Sequence, residues 1–270
     1  MPTMPDPVQH NQRRKLLKFF EPSLKQHPEW PVIVSEGDSW FSFPIHANLI
    51  DHLDEMAQRR INLLRLESSG DKALQIIGGK QKAKLAKYLK RYPVQALLFS
   101  GGGNDVVGRD LLPLLNQRET GMTWRQCINE ETTQARFSAI RSTYLDLVHL
   151  RNENKSQCRL YIHSYDWAIP SGRTAGTFWG LRVGPWMKPY LEQKGIEEPT
   201  DQGHIIRFLL ATFHEMLEEI AEKPGVVLVP THGTLEESDW NDELHPTRRG
   251  FEKLAEKFRA ELRKQFPGTF

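Results

Sequence analysis

The sequence predicts an α/β fold: a parallel five-stranded sheet with helices on both faces. Three observations carry this. Five short apolar runs alternate with segments of helical periodicity. The runs are nearly continuous in apolar residues, as strands buried on both faces require. Several of them also end abruptly in small polar turns, where the carboxyl edge of a parallel sheet holds its chemistry.

The elements follow in order. Residues 1–30 are a Pro-rich tail and then a helix from His10 to Gln26, with Leu16, Leu17, Phe20 and Leu24 at helical spacing on a basic background. This helix either packs on the domain or meets a membrane surface or partner. Pro31 to Glu36 forms the first strand and runs into Gly37-Asp38-Ser39-Trp40. Asn48 to Arg60 reads as a helix, with Leu49, Leu53 and Met56 on one face, and Ile61 to Leu66 as the second strand. Ser68-Ser69-Gly70-Asp71 makes a turn, and a helix opens near Lys72. Lys80 to Tyr92 is a basic helix with Leu85, Tyr88 and Leu89 as its apolar stripe. Its lysines either touch phosphates or form a solvated face.

Val94 to Phe99 is the third strand and leads into Ser100-Gly101-Gly102-Gly103-Asn104-Asp105. Thr123 to Leu150 is expected as one long helix and Arg159 to His163 as the fourth strand. A helix from about His204 to Glu222 precedes the fifth strand, Val226 to Val229. The last helix is expected to open at Pro246, because a proline in the first turn lacks only an N–H that would go unused. Residues 31–270 read as one domain, without repeat or linker. Residues 170–203 break the rhythm: Gly172, Gly176, Gly180, Gly184, Phe178, Trp179, Trp186 and Tyr190 crowd into an irregular insertion. Such a stretch is either a lid or pocket wall, or a surface elaboration.

Composition narrows the function. At 270 residues the chain can bury a large core. A net charge of +2 gives no reason to expect a nucleic-acid partner. No apolar run reaches the roughly 18 residues of a membrane span. The N-terminus carries no secretory signal, so a cytoplasmic location is the expectation, with signal-independent export left open. Cys127 and Cys158 match no metal or redox spacing and read as free thiols in a reducing compartment. The oligomeric state is not legible.

The turns at the strand ends supply each part of an acyl-transfer site. Ser39 has a hydroxyl to use but is a weak nucleophile alone. His245, in Asp242-Glu243-Leu244-His245-Pro246, is the natural base, and Asp242 can hold its second ring nitrogen. Gly70 offers an unobstructed N–H and Asn104 a side-chain NH₂. With the Ser39 N–H they can form an oxyanion hole. The Gly101-Gly102-Gly103 run is otherwise a tight turn. It is a poor phosphate cradle, since no Gly-Lys-Ser/Thr follows.

Gly37-Asp38-Ser39, Gly70, Gly103-Asn104-Asp105 and Asp242-x-x-His245 fall in the order of the four blocks of the SGNH/GDSL hydrolases, and the chain resembles that family from residue 37 to residue 245. The resemblance implies a flavodoxin-like three-layer α/β/α sandwich and a Ser-His-Asp esterase or lipase that needs no metal or cofactor. It implies Ser39 as nucleophile and oxyanion donor, Gly70 and Asn104 as the other donors, and His245 with Asp242 as base and orienting carboxylate. No Gly-x-Ser-x-Gly elbow surrounds Ser39. The bulky Trp40-Phe41, the extra Gly101 and the 170–203 insertion depart from the family pattern and leave the substrate open. A lipid or other long acyl ester is the first expectation, with its chain packing on Trp40, Trp167, Phe178 or Trp179. A sugar O-acetyl ester, acyl transfer to another acceptor and a silent binding module are the alternatives.

Overall fold

The computed structural model describes residues 17–178 and 181–270, with backbone alone at 177, 178, 181 and 182. Five strands form one parallel sheet: β1 (Val32–Gly37), β2 (Asn62–Arg65), β3 (Ala96–Ser100), β4 (Arg159–His163) and β7 (Val226–Val229), in the order β2-β1-β3-β4-β7. This is the flavodoxin-like doubly wound order, which reverses direction at the β1/β3 boundary. In that register Gly37 lies opposite Ser100, so the turns after β1 and β3 leave the sheet side by side.

Helices cover both faces. A helix at Leu49–Met56 packs against the C-terminal helix at Arg248–Gln265, and a helix at Leu17–Gln26 lies against β2. On the other face lie Ala73–Ile76, Gly79–Arg91, the long helix Glu130–Lys155 and the helix Pro199–Ala221. A single buried apolar cluster runs from Phe20 to Phe270 and includes all five core strands. Among the described residues no helix is long and apolar enough to cross a membrane.

Several element boundaries differ from those the sequence predicts. The long helix does not begin at Thr123. A 3₁₀ turn at Trp124–Cys127 comes first, and Asn129 then caps a helix running Glu130–Lys155, its side chain accepting the N–H of Thr132 at 3.1 Å. The last helix does not open at Pro246. Thr247 is the cap, its hydroxyl accepting the Gly250 N–H at 3.1 Å, and Pro246 lies one residue outside. The helix expected over Asn48 to Arg60 stops at Met56, since Gln58 and Arg59 adopt positive φ. The part of the N-terminal helix expected before Leu17 lies outside the described residues.

The 170–203 segment is not irregular throughout. It contains an antiparallel hairpin of β5 (Gly176–Phe178) and β6 (Leu181–Val183), a short helix Lys188–Gln193, and the first turn of the helix Pro199–Ala221. Cys127 and Cys158 are both free and buried.

Candidate active site

The site begins where β1 ends. Gly37 has φ +153, and a Cβ there would sit 2.3 Å from the carbonyl oxygen of Ser100, so only glycine lets the two strands close up. The next residue, Asp38, is buried and fixes the turn. Its Oδ1 accepts from the Ser100 hydroxyl at 2.8 Å and from the Trp40 N–H at 3.0 Å, and its Oδ2 accepts from the Tyr165 hydroxyl. Burial pushes the Asp38 carboxyl above its ordinary range, against the opposing pull of these donors. The turn then presents Ser39 at the sheet edge, 9% exposed.

The fourth turn meets the first. Asp242, 1% exposed, accepts the backbone N–H groups of Leu244 at 2.8 Å and His245 at 2.9 Å on Oδ1. Its two oxygens lie 2.9 and 3.0 Å from Nδ1 of His245. Nε2 of the same ring lies 2.8 Å from the Ser39 hydroxyl. Burial alone would raise the Asp242 carboxyl. The His245 hydrogen bond and charge outweigh it and hold the group below the ordinary carboxylate value. An ionised Asp242 keeps the Nδ1 proton in place, which leaves Nε2 as an acceptor facing Ser39.

The other two turns supply donors. Asn104 sits in a 3₁₀ turn after β3, and its Nδ2 donates to the Asp71 carbonyl at 2.9 Å, which ties it beside Gly70 and leaves a second N–H. Gly70 has φ +83 and open space where a Cβ would lie. Among the described residues the backbone N–H groups of Ser39 and Gly70 donate to no protein group. Ser39, Gly70, Asn104 and His245 line one open cleft. Asp105, next to Asn104, accepts the Ala73 N–H at 2.8 Å, and burial raises its carboxyl to about 6.

The aromatic residues proved harder to place from sequence. Trp40 is 3% exposed and packs on His163, Tyr165, Trp240 and Phe251. Its indole N–H donates to the Leu244 carbonyl at 2.9 Å, so it ties the Ser39 turn to the His245 turn, and it also borders a narrow crevice beside Ser39. Trp167 is not brought to the site. It packs 3.8 Å from the His232 ring, tilted 54° to it, with the Arg207 guanidinium 4.1 Å above its face, and these contacts engage the ring outside the cleft lining. Trp179 and the side chain of Phe178 lie outside the described residues.

Two other rings flank the imidazole. Phe43 stacks on His245 at 4.4 Å, and Trp186 stands edge-on to it at 5.1 Å. Trp186 comes from the insertion, which Glu243 holds in place. The fully buried Glu243 carboxylate accepts the backbone N–H groups of Gly172, Trp186, Met187 and Lys188. Ala175, Val183 and Trp186 thereby form one wall of the cleft. The insertion is a pocket wall. The sequence carries one hint of this, a second acidic residue directly after Asp242 in the turn that leads to His245.

No protein-family model matches the chain, and no curated protein does. Solved structures do. The lipase Lip_vut3 from a goat rumen metagenome superposes with a TM-score of 0.56 at 14% identity, over 85% of this chain and 96% of that one. A candidate SGNH hydrolase from Slackia heliotrinireducens gives 0.51 at 13% identity, over 86% and 99%. Est24, a carbohydrate acetylesterase from Sinorhizobium meliloti, gives 0.51 at 10% identity, over 87% and 100%. With its parallel sheet, its strand order and these neighbours, the chain has the SGNH/GDSL hydrolase fold.

Proposed function

We propose that this protein is a serine hydrolase that cleaves carboxylic esters, with Ser39 as nucleophile, His245 as general base and acid, and Asp242 as the carboxylate that orients and stabilises the imidazole. One observation carries the reading: a single imidazole bonds Ser39 at 2.8 Å through one nitrogen and a buried carboxylate at 2.9 Å through the other. A structural histidine needs one such partner. The pairing of hydroxyl, imidazole and carboxylate is what nucleophile activation requires.

The reaction runs as follows. The Ser39 oxygen bonds to the ester carbonyl carbon while Nε2 of His245 takes the hydroxyl proton. The carbonyl oxygen becomes an oxyanion, met by the N–H groups of Ser39 and Gly70 and the NH₂ of Asn104. The carbon–alkoxide bond breaks, and the departing oxygen takes the proton from His245. Water then adds to the acyl-enzyme, with His245 again as base, and releases the acid and Ser39. The chain supplies every proton carrier and every donor in this scheme, so no metal or cofactor is invoked. Ester cleavage is also common ground between neighbours of the same fold named a lipase and a carbohydrate acetylesterase.

Hydrolysis of nitrophenyl butyrate tests the proposal. Wild-type protein turns it over, and Ser39→Ala at matched folding does not. Equal turnover by both would refute it.

A further inference from the structure

Two hollows meet at Ser39, and the path of the proton distinguishes them. The first is the open cleft already described, with about 280 Å³ of free space and walls that include Phe43, Ile45, Trp186 and His245. The second is a narrow crevice of about 40 Å³ that also borders Ser39 and Asn104. Its walls, mostly apolar, include Trp40, Val107, Met187, Ile206, Leu209 and Leu210. Ser39, Asn104 and Leu244 border both, but His245 borders the cleft alone.

The inference rests on the serine-esterase reading. In that reaction the leaving alkoxide must receive its proton from Nε2 of His245, so the alcohol half of the ester lies in the cleft. The acyl half extends from the same carbonyl carbon away from the leaving group, toward the crevice. We propose that the crevice is the acyl-chain site and that its size makes the protein selective for short, unbranched acyl groups joined to alcohols that can be bulky. An apolar cavity of about 150 Å³ holds one benzene, roughly 25 Å³ per carbon, so the crevice of about 40 Å³ accepts one or two carbons beyond the carbonyl. Acetyl and propionyl esters fit, and a long acyl chain does not.

Where the crevice comes from matters as well. Ile206, Leu209 and Leu210 lie on one face of the helix Pro199–Ala221, and Met187 belongs to the insertion. The Glu243 carboxylate holds the N–H of Met187 at 2.7 Å and that of Trp186 at 2.5 Å, so one clamp sets a wall residue of each hollow.

The test is kcat/KM for nitrophenyl esters from acetyl to lauroyl. Wild type should climb about four-fold for the methylene that enters apolar surroundings, peak at propionyl, and fall steeply by octanoyl. Two crevice-filling variants, Leu210→Trp and Val107→Phe, should each move the optimum toward acetyl. Leu209→Ala should move it toward hexanoyl or beyond. Trp186→Ala, in the cleft, should leave the optimum where it is and alter discrimination between alcohols. Far-UV circular dichroism and a thermal melt identify any variant that fails to fold, and either filling variant suffices. An optimum at lauroyl, a flat series, or an optimum that no folded crevice variant moves would overturn the proposal while leaving the esterase reading intact. Absence of turnover for every ester in wild type would instead overturn the esterase reading itself.

Discussion

The carboxylate of Glu243 lies 2.5 Å from the backbone N–H of Trp186, 57 residues earlier in the chain, and accepts three further N–H groups around it. Glu243 stands between Asp242 and Leu244, so the turn that carries the imidazole also anchors the cleft wall.

Glu243→Ala should therefore act at a distance from the chemistry. It leaves four backbone donors without their acceptor, each worth about 1–3 kcal/mol when buried and unpaired. We expect a loss of about 3 kcal/mol or more in urea unfolding and a rise in KM larger than the fall in kcat. Glu243→Gln, which keeps one of the two acceptor oxygens, should recover part of both. A kcat loss with unchanged KM and stability would show that Glu243 acts on the reaction directly.

Ser39→Ala and His245→Ala should each lower kcat by several orders of magnitude, and the double variant should be little worse than either. Groups that act as one unit do not lose activity multiplicatively. Steady-state rates on one ester suffice, and multiplied losses would break the shared-unit picture.

Asn104→Ala removes one donor from the oxyanion position and should lower kcat by about 10²–10³-fold. A fall of less than ten-fold, with folding intact, would mean that the carbonyl oxygen points elsewhere.

Glu36 lies fully within the sheet near Glu67, and burial, reinforced by the Glu67 charge, pushes its carboxyl up from 4.5 to about 8. The folded chain keeps a proton there that the unfolded chain gives up. Between pH 4.5 and about 8 the folded state binds more protons, so this group's contribution to stability falls as pH rises through that window. The slope is at most about 1.4 kcal/mol per pH unit. Glu36→Gln should melt higher than wild type at pH 8 and lose part of the wild-type decline between pH 5 and 8. Parallel curves for the two proteins would contradict this.

Much of the architecture could be read from local pattern. The runs at 159–163 and 226–229 coincide with β4 and β7, because strands buried on both faces leave unbroken apolar signals. The four turns were legible because each holds Gly, Asn, Asp or Ser where a parallel sheet ends. The break before Glu130 was harder. The apolar spacing continues through Ile128, and only Asn129 followed by two glutamates marks a cap.

The site's supporting contacts were not legible, for a different reason. Phe43 on His245, Trp40 on Leu244 and Glu243 on Trp186 span 57 or more residues, and nothing in their neighbours' types specifies the partner. Aromatic residues in loops read alike whether they line a cleft or fill a core. Trp167 and Trp186 are both tryptophans beside the same sheet edge, and only packing sends one to Arg207 and the other to His245. Buried Arg65, paired with Asp51 and Glu67 under the Ser39 turn, was equally hidden within a short strand.

Mass spectrometry after treatment with a fluorophosphonate tests most directly whether Ser39 is an activated nucleophile. Wild-type protein should gain one adduct, located on the peptide that carries Ser39. Ser39→Ala should gain none, and His245→Ala should react far more slowly. An adduct on any other residue, or one that forms equally fast without His245, would contradict the assignment.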